Sequence, residues 1–347
     1  FNGTSWVQLG QDIDGEAAGD QSGQVSLSSD GNTVAIGAHL NDGNGSNAGH
    51  ARIYNWNGTS WIQLGQDIDG ESSLDWCGMD VSLNSTGNIV AVGADGYGSV
   101  QGKGHVRIFE YNGTSWIQLG QHIVGDANHD HLGKGVSLNS SGNIVAVAAP
   151  YNDATASDAG QVRIYEYDGN SWNQLGQDLY GDASEDWFGR AVPLSSDGHT
   201  IAIGAGGVDG NCINDGQVRI YNWDGISWTQ LGYDINGDCN TRFGQAASLS
   251  SDGNTVAIGA FNFNAAAGHV RVFSVGDGTQ YTSPPCSGCT DPIASNYDPY
   301  SLIDDGTCNC YPILDSLDVT SACVGDTIEY FGRFCSPQNT YVLVNTH

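Results

Sequence analysis

The chain has 347 residues, of which 39% are hydrophobic, 50 are glycine and only 8 are proline. That balance suits many short strands joined by tight turns, and it excludes collagen and proline-rich linkers. Acids outnumber bases 39 to 10, a formal charge of −29, which argues against nucleic acid or anionic lipid as partner; no apolar run approaches the ~18 residues of a membrane helix, so no membrane insertion is expected.

Internal repetition begins at the first residue. Phe1-Asn2-Gly3-Thr4-Ser5-Trp6 matches Tyr111-Asn112-Gly113-Thr114-Ser115-Trp116, so the chain opens inside a repeat and reads as a piece of something longer. Trp6, Trp61, Trp116, Trp172 and Trp228 each open a Trp-x-Gln-Leu-Gly segment, at spacings of 55, 55, 56 and 56. Each is followed by a Val25-Ser26-Leu27-type segment, a Ser-Asp-Gly-Asn turn and a Thr33-Val34-Ala35-Ile36-Gly37-Ala38-type segment. A variable loop comes next, and a His105-Val106-Arg107-Ile108-Phe109-type segment closes the unit.

Every unit thus carries four apolar runs of strand length. Asp-Gly and Gly-Asn tolerate positive φ, which makes the first link a hairpin. We label the strands A (Val-Ser-Leu), B (Val-Ala-Ile-Gly), C (Val-Arg-Ile-Tyr) and D (Trp-x-Gln-Leu). Four strands per repeat, without a helical pattern, predict an all-β fold: a β-propeller of four-stranded blades, ahead of a β-solenoid. The last copy, ending at Val275, lacks a D strand. Pairing of Trp6–Leu9 with Val270–Val275 is therefore expected to close a five-bladed ring, while Phe1 leaves room for further blades upstream.

Trp187-Phe188-Gly189-Arg190-Ala191-Val192, followed by Ile201-Ala202-Ile203-Gly204-Ala205, resembles the FG-GAP repeat of integrin α-type propellers. Val147-Ala148-Ala149-Pro150 is similar to its Gly-Ala-Pro box, and Ala267–Val272 resembles the closing strand of bacterial versions. The resemblance covers residues 1–275. Such repeats often carry an Asp-x-Asp-x-Asp-Gly calcium loop, which the Ser-Asp-Gly-Asn turn here lacks, so no calcium is expected in the blades.

In a four-stranded meander the D–A and B–C loops share one face, and these loops hold most of the acids. An acidic binding face is expected to include Asp14, Asp42, Asp69, Asp95, Asp153, Asp182 and Asp209. Its functional reading is a surface for divalent cations or a basic partner; its plain reading is solubility. The B–C loops also differ most between copies, as binding loops on a rigid scaffold do. Arg52, Arg107, Arg163, Arg219 and Arg271 occupy one repeat position; pairing with a neighbouring blade's acid explains them better than an anion-binding ring does. The recurring tryptophans read as blade packing rather than sugar platforms. His122, His129 and His131 break the pattern in one blade and offer zinc-type ligands, or a plain surface loop.

Three cysteines lie in the repeats. Cys212 and Cys239 fall in loops of one face and are disulfide candidates, whereas Cys77 takes the place of Phe188 or Phe243 and reads as a buried free thiol. The other six, Cys286, Cys289, Cys308, Cys310, Cys323 and Cys335, crowd the tail, which fits an oxidising, extracellular setting. The run Cys289-Thr290-Asp291 … Asn296-Tyr297-Asp298 … Asp304-Asp305-Gly306-Thr307-Cys308 resembles modules of bacterial surface proteins exported by type 9 secretion, and thrombospondin type 3 calcium repeats. It reads either as an Asp-rich turn stapled by Cys289–Cys308 or as a Ca²⁺ site with Asp291, Asn296, Asp298, Asp304 and Asp305 as ligands. Ca²⁺ is the one cofactor expected. From Pro312 the chain looks like the opening strands of an IPT/TIG-type immunoglobulin module, with Cys323–Cys335 as a candidate staple; its 36 residues are too few for a whole sandwich. The expected domains are thus 1–280, 284–311 and 312–347.

No Gly-x-Ser-x-Gly elbow, phosphate loop or His-Glu-x-x-His motif is present. The expected function is a non-enzymatic adhesion or structural module of a large secreted surface protein. Its expected partners are a cell-surface protein or glycan, or further copies in an oligomer or filament. The alternative is a lectin or polysaccharide-active enzyme, since paired carboxylates for glycoside chemistry are plentiful.

Overall fold

The computed structural model describes residues 3–96, 102–210, 213–262 and 268–275. Residues 1–275 form one compact unit. Five antiparallel sheets follow one another along it, and the protein is a β-propeller. The first sheet holds β1 (Ser22–Leu27), β2 (Thr33–Ala38), β3 (His50–Trp56), β4 (Trp61–Gln63) and β5 (Ile68–Asp69). The second holds β6 (Cys77–Leu83), β7 (Ile89–Ala94), β8 (His105–Tyr111), β9 (Trp116–Gln118) and β10 (Ile123–Val124). In the third lie β11 (Gly135–Leu138), β12 (Ile144–Ala149), β13 (Gln161–Tyr167), β14 (Trp172–Gln174) and β15 (Leu179–Tyr180). The fourth contains β16 (Phe188–Ala191), β17 (Thr200–Ala205), β18 (Gln217–Trp223), β19 (Trp228–Gln230) and β20 (Ile235–Asn236). The fifth contains β21 (Ala246–Leu249), β22 (Thr255–Ala260) and β23 (His269–Ser274).

Four strands per blade were expected, and the complete blades have a fifth, two residues long. It is a continuation of the D strand. After Trp61-Ile62-Gln63 has paired with Trp56, Asn55 and Tyr54, the chain arches out at Gly65 (φ 67°) and returns to pair Ile68 with Ala51. The arch takes Leu64 O out of the ladder, and the next blade's tryptophan caps it: Trp116 Nε1 donates to Leu64 O at 2.8 Å. Gln66 completes the joint, its side chain bonding both Trp116 N (3.2 Å) and Trp116 O (3.0 Å). The same joint recurs at Trp172 with Leu119 and Gln121, and at Trp228 with Leu175 and Gln177. The Trp-x-Gln-Leu-Gly-Gln motif is thus an inter-blade clasp, and its indoles are buried packing groups at Trp116, Trp172 and Trp228.

Inner strands are joined similarly. Leu83 N donates to Ser26 Oγ (2.8 Å), Leu138 N to Ser82 Oγ (2.9 Å) and Leu194 N to Ser137 Oγ (3.1 Å). Each serine of Val-Ser-Leu therefore serves the following blade. Apolar cores lie between the sheets: Ala35, Ala51 and Ile53 of the first meet Cys77, Val81, Leu83 and Val92 of the second. Middle strands are covered on both faces, which is why they read as near-continuous apolar runs. The glycine in Val-Ala-x-Gly-Ala lets the blades approach, because a Cβ on Gly93 would collide with Gly133 O.

The expected ring closure is not found. Trp6–Leu9 is not a strand and does not pair with β23; the fifth sheet has three strands among the described residues. The segment lies beside the first blade instead, where Leu9 O accepts Trp61 Nε1 at 2.9 Å, as a preceding blade's D strand would. Both ends of the arc keep apolar faces open: Val25 and Leu27 on β1, Val270 and Val272 on β23. One position differs between the first blade and the others. Cys77 and Phe188 pair with Ala94 and Ala205, and each plugs the junction behind it; Leu132 and Phe243 plug theirs beside Gly104 and Gly216. In the first blade the residue paired with Ala38 is Ser22, which brings no apolar plug for a closing blade.

Candidate functional site

The D–A and B–C loops do share one face: Leu74 N donates to Ser46 O, Trp76 N to Asn47 O and Cys77 N to Ala48 O. Their acids fall into three structural classes. In four of the five D–A loops the last acid is buried and holds its own turn; Asp20 Oδ2 accepts Ala17 N, Asp75 Oδ2 accepts Glu71 N, Asp130 Oδ2 accepts Ala127 N and Asp186 Oδ2 accepts Ala183 N, while the fifth loop has the buried Thr241 at this position. Burial raises the pKa of Asp75 and Asp186 against these hydrogen bonds.

A second class clips the B–C loops. Asp42 Oδ1 accepts Asn47 N (2.7 Å), Asp153 Oδ1 accepts Asp158 N (2.8 Å) and Asp209 Oδ1 accepts Asn214 N (2.6 Å). The third class meets the arginine ring across the blade junctions. Arg52 pairs with Glu16 (3.5 Å), Arg107 with Glu71 (3.8 Å), Arg163 with Asp126 (3.2 Å), Arg219 with Asp182 and Arg271 with Asp238. Every one of the five takes an acid from the preceding D–A segment, as the plainer sequence reading expects.

Of the residues expected on the acidic face, Asp14, Asp42, Asp69, Asp153, Asp182 and Asp209 are exposed. Asp69 stands on β5 rather than in a loop, because the D strand returns there. Asp95 does not reach the surface. It is 0% exposed, 3.2 Å from Lys134 Nζ and 3.7 Å from His131 Nδ1, so its charge is spent internally.

Cys77 is a buried free thiol, and burial pushes its pKa up to about 12. Cys239 is disulfide-bonded; Cys212, its expected partner, lies outside the described residues. Also outside them are Asp291, Asn296, Asp298, Asp304, Asp305, all six tail cysteines and the two expected tail modules.

Sequence reading missed the groups beside the arginines. The first residue of each C strand is His50, His105, Gln161, Gln217 or His269, and it faces the junction. In the first junction His50 Nδ1 lies 3.9 Å from Glu16 and 3.8 Å from Asp67. In the third, Gln161 Nε2 donates to Asp178 Oδ2 at 3.1 Å. The second junction differs. His122 replaces the aspartate found at Asp67, Asp178 and Asp234; its Nε2 lies 3.6 Å from Glu71 Oε1, and its ring stacks on His105 with centroids 5.4 Å apart. His105 Nδ1 lies 3.7 Å from the buried Asp75. Burial, then Arg107 and His122, pushes the His105 pKa down to about 4, so the imidazole is neutral. Glu71, His105 and His122 thus present three ligand atoms within 4.8 Å of one another; His129 and His131 are not in the group. Comparing the aligned first residues of the C strands would have exposed the position.

No protein-family model matches the chain, and no curated protein matches it. Solved structures similar to it include a putative TolB from Agrobacterium tumefaciens (13% identity, TM-score 0.44, 74% of this chain and 77% of that one). Two others are the hydrazine synthase of Kuenenia stuttgartiensis (15%, TM-score 0.47, 73% and 71%) and the β-propeller domain of the trilobed protease from Pyrococcus furiosus (9%, TM-score 0.45, 73% and 68%).

Proposed function

We propose that the protein is a non-enzymatic, extracellular adhesion or structural module of a larger surface protein, binding through its B–C loops. One observation carries the reading. Asp42, Asp153 and Asp209 close their loops with the same five-residue clip, while the enclosed sequences differ: Gly43-Asn44-Gly45-Ser46 in one, Ala154-Thr155-Ala156-Ser157 in another. A fixed frame presenting unlike loops on one face is the arrangement of a recognition surface. The disulfide at Cys239 supports an oxidising compartment. The FG-GAP resemblance, the type 9 secretion-like Cys/Asp module with its Ca²⁺ ligands, and the IPT/TIG-like segment belong to the same proposal.

A glycan array and a cell-binding assay with the whole chain test it, alongside a polysaccharide hydrolysis screen. Binding that is lost when the 43–46 and 154–157 segments are exchanged for glycine-serine runs supports the loop face. Turnover of any polysaccharide would replace the proposal with its enzyme alternative. Self-assembly, the filament form of the idea, is read by size exclusion and negative-stain imaging; a monodisperse monomer removes that form.

A further inference from the structure

The five junctions repeat one polar arrangement, and the second is where it acquires the donors of a transition metal. We propose that Glu71, His105 and His122 form a zinc site that bridges the first and second blades.

Two imidazoles and one carboxylate are a zinc-type donor set that keeps one coordination position open. The geometry is close to what the ion demands. Zinc bonds of ~2.0–2.1 Å place tetrahedral ligands roughly 3.3 Å apart. His122 Nε2 and Glu71 Oε1 already stand 3.6 Å apart, and all three donors fall within 4.8 Å. The partly exposed His122 has to turn out of its stack on the buried His105 for both rings to aim a nitrogen at one ion. With Nδ1 of His105 turned toward Asp75, Nε2 is the nitrogen left for the metal, and that atom is buried without a hydrogen-bond partner. Asp75 then plays the outer carboxylate that orients a ligating histidine. His122 and Glu71 are partly exposed, with side-chain accessibilities of 33% and 50%, which gives the ion a way in and water a fourth position.

The other junctions set the limits. Glu16, His50 and Asp67 supply only one imidazole, a harder set that favours zinc less. Gln161 and Gln217 put amides where the histidine would be. Arg107 stands 3.8 Å from Glu71 Oε1, and its charge opposes a cation, so binding at this site is weaker than at a closed four-ligand centre. Held by Asp69 O and Cys77 Sγ, that guanidinium is tied to the backbone and to a buried thiol, not to Glu71 alone.

The test uses the whole untagged chain, stripped with chelator and titrated with Zn²⁺ by calorimetry and with Co²⁺ by visible absorption. His105→Gln and His122→Asp install residues that sister blades carry at the same positions, and circular dichroism checks their folding. The wild-type chain is expected to bind one equivalent more zinc than the double variant. Tetrahedral-type cobalt bands are expected in the wild type and absent from both single variants. Asp75→Asn is expected to weaken zinc ~10-fold or more, the usual cost of losing an outer carboxylate; His50→Gln is expected to leave the titration unchanged. Equal stoichiometry and affinity in the wild type and the double variant would overturn the site. So would cobalt bands that survive His122→Asp, or a wild-type chain that takes up no zinc at micromolar concentrations.

Discussion

Leu27, Leu83 and Leu138 occupy one position of the repeat, paired with Val34, Val90 and Val145, yet they are 59%, 7% and 7% exposed. Truncating each to alanine isolates what a blade junction is worth. Leu83 and Leu138 fill closed inter-sheet cores, so losing three side-chain carbons removes transfer free energy and leaves a cavity, about 2–5 kcal/mol together. Leu27 faces solvent at the open end of the arc, where the same change costs no more than about 0.5 kcal/mol. Equilibrium urea unfolding followed by tryptophan fluorescence reads the difference as midpoint shifts at constant slope. A loss at Leu27→Ala equal to that at Leu83→Ala would refute the open arc, because Leu27 would then be covered in solution. Losses below about 1 kcal/mol at both Leu83 and Leu138 would refute the junction packing itself.

Asp80 gives a pH signature. Burial raises its carboxyl from 3.8 to about 6, against hydrogen bonds from Val136 N and Val81 N. The native state therefore holds this proton more tightly than the unfolded chain, and stability falls as pH rises from about 4 to about 6, by roughly 3 kcal/mol for two pKa units. Asp80→Asn is expected to flatten that slope in denaturant titrations at stepped pH; an unchanged slope would show that Asp80 does not set it. For Cys77, burial and a thiol pKa of about 12 predict no reaction with a thiol-specific dye in the native chain and full labelling in urea; native labelling at the rate of an exposed cysteine would remove the buried-plug assignment.

The repeat was legible because each copy spells the same strands in the same order, and local composition decides strands of this kind. What stayed hidden were consequences of one blade meeting the next. Nothing local to Leu64-Gly65-Gln66 says that the D strand arches and resumes; the arch exists because Trp116, fifty residues later, caps the carbonyl it frees. Ring closure was misjudged for a related reason. The strand pattern of Trp6–Leu9 is intact, but Leu9 O is engaged by Trp61 of the first blade, which holds the segment there as a preceding blade's D strand. Among the acids, counting charge hid which ones serve the fold. Asp20, Asp75, Asp130 and Asp186 are short-range turn acceptors, and Asp95 is neutralised by a lysine from the next blade. Glu71, His105 and His122 are far apart in sequence and meet only across a junction.

The arginine ring shows how the frame leaves its loops free to diverge. Arg52, Arg107, Arg163 and Arg219 are buried to within 8% exposure, while their acids, Glu16, Glu71, Asp126 and Asp182, are about half exposed or more. Ion pairs of that kind add little net stability, since desolvation of the guanidinium offsets the attraction. Their value is positional. Arg52 also donates to Asp14 O, Arg107 to Asp69 O, Arg219 to Tyr180 O and Arg271 to Asn236 O. A backbone carbonyl holds whatever side chain the residue bears. Aspartate (Asp14, Asp69), tyrosine (Tyr180) and asparagine (Asn236) accordingly share one structural position, and the acid after the following glycine is fixed relative to the next blade in each case. With the entry to four of the five D–A loops pinned through main chain, the side chains on that face can change without moving the blades.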